Sequence, residues 1–384
     1  MKPELPKELK KRLHFIDALR GFAAIAVLFH HLYHNTELKG PLCSIFPSFL
    51  DHLLTLGARG VQVFFVISGF VIAYSVRAIW ISPANARDFI IRRQLRLDPP
   101  YWIILGITIL FLRLHPDDSI NALTAGTVLA NMFYLHKLIG VHQFVSVAWT
   151  LCLEVQFYLI FILLFSAAQR ASRCSSGNPR PSEKSLLWAI VPVALVSVWV
   201  RSLHGTDEFP WFIGSWYLFA LGTLAFLAWQ GWIKSGAFWA FQIVVLGCGI
   251  ALAQSGMVVG AITAGAIVLV GRAGHLSDWL SHPIFQYFGR ISYSIYLVHL
   301  FVVLRVMRIG IHFTHGSPTF AVIWFLLAAG SSVAVAHLFY LLVERPSMEL
   351  GASFKKYGFR IFPMGIGRLL DRLQVRPGHS QIPE

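Results

Sequence analysis

The sequence predicts an all-α integral membrane protein with about ten transmembrane helices and both termini in the cytoplasm. Of its 384 residues, 56% are hydrophobic and only 13% are charged, whereas soluble proteins are about 25% charged. The apolar residues form runs that reach or approach the roughly 20 residues needed to cross a bilayer. The net charge of +14 is spread between these runs, which indicates membrane topology and anionic lipid head groups and argues against nucleic acid as a partner.

Ten apolar runs define the candidate spans. The first, 15–36, follows a basic start (Lys2 to Arg12) and is expected to act as an uncleaved signal anchor. The others cover roughly 59–79, 99–114, 147–168, 185–201, 211–229, 236–254, 256–272, 286–308 and 319–343. Segment 120–138 is amphipathic and interrupted by polar residues, so we interpret it as an interfacial or re-entrant piece.

The distribution of Lys and Arg orients these spans. The basic segments, which we expect in the cytoplasm, are 1–14, 77–98, 169–184, 230–235, 273–285 and the tail. The segments expected outside carry few Lys or Arg and are 37–58, 115–146, 202–210, position 255 and 309–318. The resulting organisation is a basic cytoplasmic N-terminus (1–14), a ten-helix membrane domain (15–345) and a basic cytoplasmic tail (346–384).

The first span carries ionisable residues among apolar ones, namely Asp17, Arg20 and His31. A charge inside a bilayer costs several kcal/mol and therefore usually faces a wet cavity or a partner. Arg20 and His31 are eleven residues apart, which places them on one helix face about 16 Å apart along the axis. A histidine in a sealed pocket is the usual general base at neutral pH. A snorkelling arginine and a satisfied buried histidine are the structural alternatives.

Neither the histidines nor the cysteines form a pattern typical of a metal site. His30 and His34 are an i, i+4 pair, but no neighbouring carboxylate or cysteine completes a ligand set. The four cysteines lack paired spacing for disulfides or zinc; they are Cys43, Cys152, Cys174 and Cys248. We expect no metal and no permanently bound cofactor.

Two further segments place polar residues at the second and third spans. Ser68 offers a small hydroxyl next to Gly69, although small-residue helix packing would explain both residues. Three arginines precede the third span, at Arg92, Arg93 and Arg96. Guanidinium forks match phosphates, so these arginines suit a polyanion, with positive-inside anchoring as the structural alternative.

The fourth and ninth spans also carry polar residues. Glu154 lies about two turns into the fourth span and is a functional candidate unless an arginine of another helix pairs with it. Ser292, Tyr296 and His299 fall on one face of the ninth span at i, i+4, i+7 spacing. An interfacial tyrosine belt would explain the tyrosines of this segment without a function.

Together these segments resemble the membrane acyltransferase-3 family, which includes O-acetyltransferases of bacterial exopolysaccharides, O-antigens and Nod factors. The motifs occur in family order over nearly the whole chain: Leu19-Arg20-Gly21 with His31, Val63 to Phe70, Arg92-Arg93-x-x-Arg96 with Tyr101-Trp102, Trp149 to Tyr158, Gly289 to His299, and Glu344-x-Pro346. Gln62 and Asp98 depart from the residues common in the family. No SGNH-type esterase domain follows, so the chain resembles the stand-alone branch.

The resemblance implies a ten-helix fold and transfer of an acyl group, acetyl by default, from cytoplasmic acyl-CoA as co-substrate. The acceptor it implies is a hydroxyl of a cell-surface polysaccharide or its lipid-linked precursor, at the bacterial inner membrane. The expected catalytic residues are His31, Arg20 and Glu154. The expected acyl-CoA-binding residues are Arg92, Arg93, Arg96, Ser68 and Tyr101. The expected acceptor-binding or supporting residues are Asp17, Trp149, Tyr158, Ser292, Tyr293 and His299.

Several alternatives remain open on sequence alone. The acceptor could be a small molecule such as a macrolide. A secondary transporter of a glycan, a lipid or protons would also use intramembrane Arg, His and Glu, although we find no internal repeat of the kind that favours a transporter. For the chemistry we prefer direct general-base transfer by His31, with an acyl-enzyme step as the alternative. The sequence does not give the oligomeric state.

Overall fold

The structure, a computed structural model, describes residues 12–34, 39–205, 209, 211–314 and 317–357, and this part of the chain is helical without β-strands. The first helices are α1 (His14–His34), α2 (Lys39–Cys43), α3 (Ser48–Leu56), α4 (Gly60–Val76), α5 (Pro83–Leu114), α6 (Ala125–Met132), α7 (His136–Ile139) and α8 (Ala148–Ala171). The remaining ones are α9 (Glu183–His204), α10 (Trp216–Trp229), α11 (Ser235–Ala251), α12 (Ser255–Arg272), α13 (Pro283–Thr314), α14 (Pro318–Phe339) and α15 (Arg345–Tyr357).

Eight helical runs in this part of the chain are long and apolar enough to cross a membrane, and α10 and α11 are shorter apolar helices. Each of the ten predicted spans corresponds to one of these ten elements, which confirms the all-α membrane fold. The side of the membrane on which each end lies stays a prediction. So does the division of the chain into a cytoplasmic N-terminus, a membrane domain and a tail.

The helix that contains the third predicted span begins earlier than expected. Ser82 caps α5 by accepting a hydrogen bond from the Asn85 N–H at 3.2 Å, and Pro83 occupies the first turn, where its missing N–H is not needed. Pro99 and Pro100, at the start of the predicted span 99–114, lie inside the helix.

The early start of α5 moves the three predicted anion-binding arginines. We expected them in a loop at 77–98, whereas they lie within a continuous 32-residue helix. The cytoplasmic location of this segment stays a prediction. A proline inside a helix removes one hydrogen bond, but the packing of α5 against its neighbours maintains the helix through both prolines. The arginines are therefore carried on a rigid element at the centre of the bundle.

The last predicted span also continues beyond its expected end. After α14, a π-helical turn at Tyr340–Glu344 leads into α15, which packs against α5. The contact is close: a Cβ added at Gly351 would lie 3.4 Å from the Arg92 carbonyl oxygen. The predicted boundary at 345 therefore falls within a continuous helical run, and most of the predicted tail lies outside the described residues.

Short helices occupy the predicted interfacial segment 120–138. A 3₁₀ turn at Asp118–Ala122 is followed by α6, with 8 residues, and α7, with 4. At about 1.5 Å per residue, α6 is only about 12 Å long and neither helix can cross a bilayer. The structure agrees with the interpretation that this segment does not span.

Glycines allow the central helices to approach main chain to main chain. A Cβ at Gly21 of α1 would lie 2.7 Å from the Gly289 nitrogen of α13, and a Cβ at Gly289 would collide with the Asp17 carbonyl oxygen. On the other side of α4, a Cβ at Gly69 would collide with the Phe219 carbonyl oxygen of α10. Such small-residue contacts are the usual interfaces of membrane helices, and here they fix the helices that surround the candidate site.

Candidate active site

A narrow cavity of about 90 Å³ lies between α1, α4, α5, α8 and α13. The polar residues of its lining are Arg20, Ser68, Arg93, Arg96, Thr150, Glu154, Tyr158, Tyr293 and Tyr296. Seven of these nine residues are among those that the sequence predicts for the site, although they come from five different helices. The remaining lining is apolar and comes mostly from α4.

The carboxylate of Glu154 is the centre of a hydrogen-bonded cluster in this cavity. Ser68 Oγ of α4 donates to Glu154 Oε1 at 3.0 Å, and the Tyr158 hydroxyl donates to the same oxygen. Glu154 and Tyr158 meet because residues four apart lie on one face of a helix. A hydroxyl group, a carboxylate and a second hydroxyl that orients the carboxylate are therefore assembled from two helices.

Three arginines supply positive charge to the same space. Arg93 is held by a hydrogen bond to Ser75 Oγ at 3.3 Å and lies over the Tyr158 ring, 5.6 Å from its centroid. Within the described ranges, neither Arg20 nor Arg96 has an acidic oxygen within 4.0 Å. With Glu154 as the one acidic residue of the lining, the cavity has a formal excess of two positive charges, which favours an anionic ligand.

His31 does not line this cavity. Its ring stacks on the ring of His299, with centroids 5.2 Å apart and planes at 27°. His299 Nδ1 lies 3.0 Å from the Ile295 carbonyl oxygen and 2.8 Å from that of Tyr296, so this nitrogen carries the proton. His299 Nε2 is then the acceptor, and it is buried without a hydrogen-bond partner among the described residues.

Tyr296 lies next to both the histidine pair and the cavity. Its ring packs against His299 at 6.0 Å and against Phe64 at 5.5 Å, and its hydroxyl lies 2.9 Å from Thr150 Oγ1. Tyr296 and Thr150 both line the cavity. We did not predict either as a site residue, although Tyr296 shares a helix face with His299 in the sequence and Thr150 lies within the Trp149–Tyr158 motif.

Other predicted site residues make contacts elsewhere. The Tyr101 hydroxyl donates to the Asn131 carbonyl oxygen at 3.0 Å, and the Ser292 hydroxyl donates to the Gly289 carbonyl oxygen of its own helix at 2.9 Å. Trp149 lies under the ammonium group of Lys137, and Asp17 pairs with Arg12. None of these residues, nor Arg92, lines the cavity. Tyr293 does line it, and its hydroxyl donates to the Leu97 carbonyl oxygen at 2.9 Å.

Glu344 is a residue that sequence reasoning missed. It is 1% exposed, and its Oε2 accepts hydrogen bonds from the Ser294 N–H at 3.1 Å and the Ser294 hydroxyl at 2.6 Å. The available signal was the motif Glu344-x-Pro346 at the end of an apolar run, which we used only for the family resemblance.

Comparison with known proteins identifies the class to which this fold and cavity belong. The profile of the acyltransferase-3 family, described as an acyltransferase domain, matches residues 13–341. The chain belongs to this family, which confirms the resemblance seen in the sequence. It is a multi-pass membrane enzyme, an O-acyltransferase.

Several relatives match over much of the chain. Nodulation protein 10 of Rhizobium leguminosarum bv. viciae is 27% identical over 376 residues, covering 88% of this chain and 94% of the relative. The exopolysaccharide production protein ExoZ of Rhizobium meliloti (strain 1021) is 27% identical, covering 84% and 96%. The peptidoglycan O-acetyltransferase OatA of Listeria monocytogenes serovar 1/2a is 29% identical, covering 52% of this chain and 30% of the relative. No solved structure matches the chain.

Proposed function

We propose that the enzyme transfers an acyl group, acetyl by default, from cytoplasmic acyl-CoA to a hydroxyl of a cell-surface polysaccharide or its lipid-linked precursor. The membrane is the bacterial inner membrane. The observation that carries the proposal is the cavity, in which three arginines surround a hydrogen-bonded Ser68–Glu154–Tyr158 cluster. The relatives named for peptidoglycan O-acetylation and for exopolysaccharide production support a carbohydrate acceptor.

The positive charge of the cavity suits the donor. Coenzyme A carries phosphates, which guanidinium groups bind through charge-assisted hydrogen bonds. Arg93 and Arg96 lie three residues apart on α5, so both present their guanidinium groups to the cavity. At about 90 Å³, the cavity is too small to enclose a whole coenzyme A molecule, so only part of the donor enters it.

The stacked pair of His31 and His299 is placed to act on the acceptor. His31 lies about 16 Å along α1 from Arg20, toward the end of the bundle that we expect to face outward. We propose that His31 takes the proton of the acceptor hydroxyl. His299 acts as a positioning residue, because its proton is committed to main-chain carbonyl groups and its ring is stacked on that of His31.

The test uses the purified protein in proteoliposomes, supplied with acetyl-CoA and a de-esterified glycan, and measures release of free CoA together with ester formation on the glycan. We expect Arg96→Ala to raise the KM for acetyl-CoA about ten- to a hundredfold, since loss of a charge-assisted hydrogen bond costs about 1.5–3 kcal/mol. Arg87→Ala is the matched control, because Arg87 lies on the same helix but is exposed and pairs with Asp88. An equal KM for both variants would contradict the donor site.

A further inference from the structure

We propose that Ser68 carries the acyl group as a covalent ester between donor and acceptor, so that transfer occurs in two steps. This inference rests on the proposed function, since it assumes acyl-CoA as the donor. Its basis is the hydrogen bond from Ser68 Oγ to Glu154 Oε1 at 3.0 Å, inside the cavity that the arginines line.

The cluster has the arrangement that activates a nucleophile. A serine is a weak nucleophile unless a base lies within hydrogen-bond reach, and the base is usually oriented by a third group. Glu154 is the base in reach of Ser68, and the Tyr158 hydroxyl orients the carboxylate. The guanidinium group of Arg93 lies over the Tyr158 ring and helps to hold that side chain in place.

The hydrogen bond made by Ser68 joins two helices, as does the bond from the Ser294 hydroxyl to Glu344, but of these two serines only Ser68 lines the cavity. Other buried or half-buried serines make local bonds. Ser332, Ser347 and Ser202 each donate to the carbonyl oxygen four residues earlier in the chain, at 2.7, 2.8 and 2.8 Å. Such bonds satisfy a hydroxyl group locally. Ser68 instead donates to a carboxylate on another helix, 86 residues away in the sequence. The contact of Gly69 with the α10 main chain fixes the position of this part of α4.

In the first step, Ser68 Oγ attacks the carbonyl carbon of the thioester while Glu154 accepts the hydroxyl proton. The carbon–sulfur bond then breaks, and the proton passes from Glu154 to the departing CoA sulfur. In the second step, the acceptor hydroxyl attacks the Ser68 ester after losing its proton to His31, the base on the acceptor side. The bond between the acyl carbon and Ser68 Oγ breaks as the new ester forms. The proton taken from the acceptor then passes to Ser68 Oγ and restores the hydroxyl group. Over the two steps, a thioester and an alcohol are converted to an ester and a thiol.

Arg20 is suited to stabilise the negative oxygen that develops in both steps. Its side chain lines the same cavity, and within the described ranges it has no ion-pair partner within 4.0 Å. Donors fixed before the reaction and aimed at a developing oxyanion are often the largest single contribution to catalysis. Arg20 thereby acquires a role distinct from that of the α5 arginines, which bind the donor phosphates.

The test is exchange of label between free CoA and acetyl-CoA, without any acceptor, by the full-length protein in proteoliposomes. A covalent acyl-enzyme allows this exchange, whereas direct transfer does not. We expect the wild-type protein to exchange label and Ser68→Ala to lose exchange by roughly three orders of magnitude, while its affinity for CoA changes less than about threefold. Ser332→Ala is the matched control, a buried serine outside the cavity, and should exchange normally.

Ser68→Cys provides a second readout that a structural role of Ser68 would not move. A thiol at this position is itself a nucleophile, so the variant should be labelled by acetyl-CoA as a thioester that neutral hydroxylamine releases, located by peptide mass spectrometry. Absence of exchange in a wild-type protein that acetylates glycan, or full activity of Ser68→Ala, would overturn the acyl-enzyme. A wild-type protein that neither binds acetyl-CoA nor acetylates glycan would instead refute the proposed function.

Discussion

At the scale of single residues, one carboxylate oxygen receives two hydroxyl donors from different helices. Glu154 Oε1 accepts from Ser68 and from Tyr158. Removal of the Ser68 hydroxyl and removal of the Tyr158 hydroxyl should affect catalysis differently. Tyr158 only orients the carboxylate, whereas Ser68 is placed to exchange a proton with it.

Glu154→Gln should lower kcat by roughly 10²–10⁴-fold, the usual contribution of a general base, while leaving the KM for acetyl-CoA nearly unchanged. The amide keeps the volume and one carbonyl oxygen but cannot accept the proton. Tyr158→Phe removes one of the two donors and should cost less, about tenfold or below. Steady-state kinetics on both variants measure this order, and a larger loss in Tyr158→Phe would argue against the role of Glu154 as the base.

His31→Ala should abolish transfer to glycan while preserving acceptor-independent exchange, because His31 does not line the donor cavity. His30→Ala is the neighbouring control. His30 Nδ1 lies 3.0 Å from the Leu54 carbonyl oxygen and holds α3 against α1, so this variant should keep transfer. Size-exclusion profiles of both proteins check that they fold, and retained transfer in His31→Ala with loss in His30→Ala would assign the base to His30.

At the scale of elements, main-chain contacts between helices make certain glycines irreplaceable. Gly289→Ala would drive its Cβ into the Asp17 carbonyl oxygen, whereas a Cβ at Gly330 of α14 meets nothing within 4 Å. Overpacking of this kind typically costs 1–3 kcal/mol. We therefore expect a lower Tm in detergent for Gly289→Ala and no loss for Gly330→Ala. Equal thermal stability of the two variants would contradict the α1–α13 contact.

The elements themselves were largely predictable, because an apolar run of sufficient length has few other structures available to it. The start of α5 was not, since Pro99 and Pro100 are typical of a helix beginning and the packing that carries the helix through them comes from other elements. The continuation into α15 was also missed. The sequence of α15 is polar, and its docking on α5 is a tertiary contact between elements far apart in the chain.

Most residues of the candidate site could be predicted from the sequence, but the contacts between them could not. Ser68, Glu154 and the arginines are unusual within apolar runs and were therefore recognised. That Ser68 donates to Glu154, or that His31 stacks on His299, depends on how helices far apart in sequence cross. Glu344 was missed because it lies at the end of a run, where an acidic residue is unremarkable.

At the scale of the whole molecule, the proposed mechanism depends on sidedness. Asp118→Cys should react with an impermeant maleimide in intact cells, and Ser176→Cys only after the membrane is opened. Both sites, Asp118 and Ser176, are exposed. The background requires replacement of Cys43, which is exposed, and of Cys174, which is close to the second site. Labelling of position 176 from outside would invert the assignment of donor and acceptor sides.

The 14-residue helix α10 has a consequence for how the protein is made. It is about 21 Å long, shorter than the ~30 Å hydrocarbon layer, and nearly all its residues are buried among other helices. As it leaves the ribosome it has no such shielding, so it should enter the bilayer only together with its neighbours. Nascent chains truncated after α10 should therefore leave this segment accessible to protease in a translation extract with membranes, and chains truncated after α12 should protect it. Protection in both would show that α10 inserts unaided.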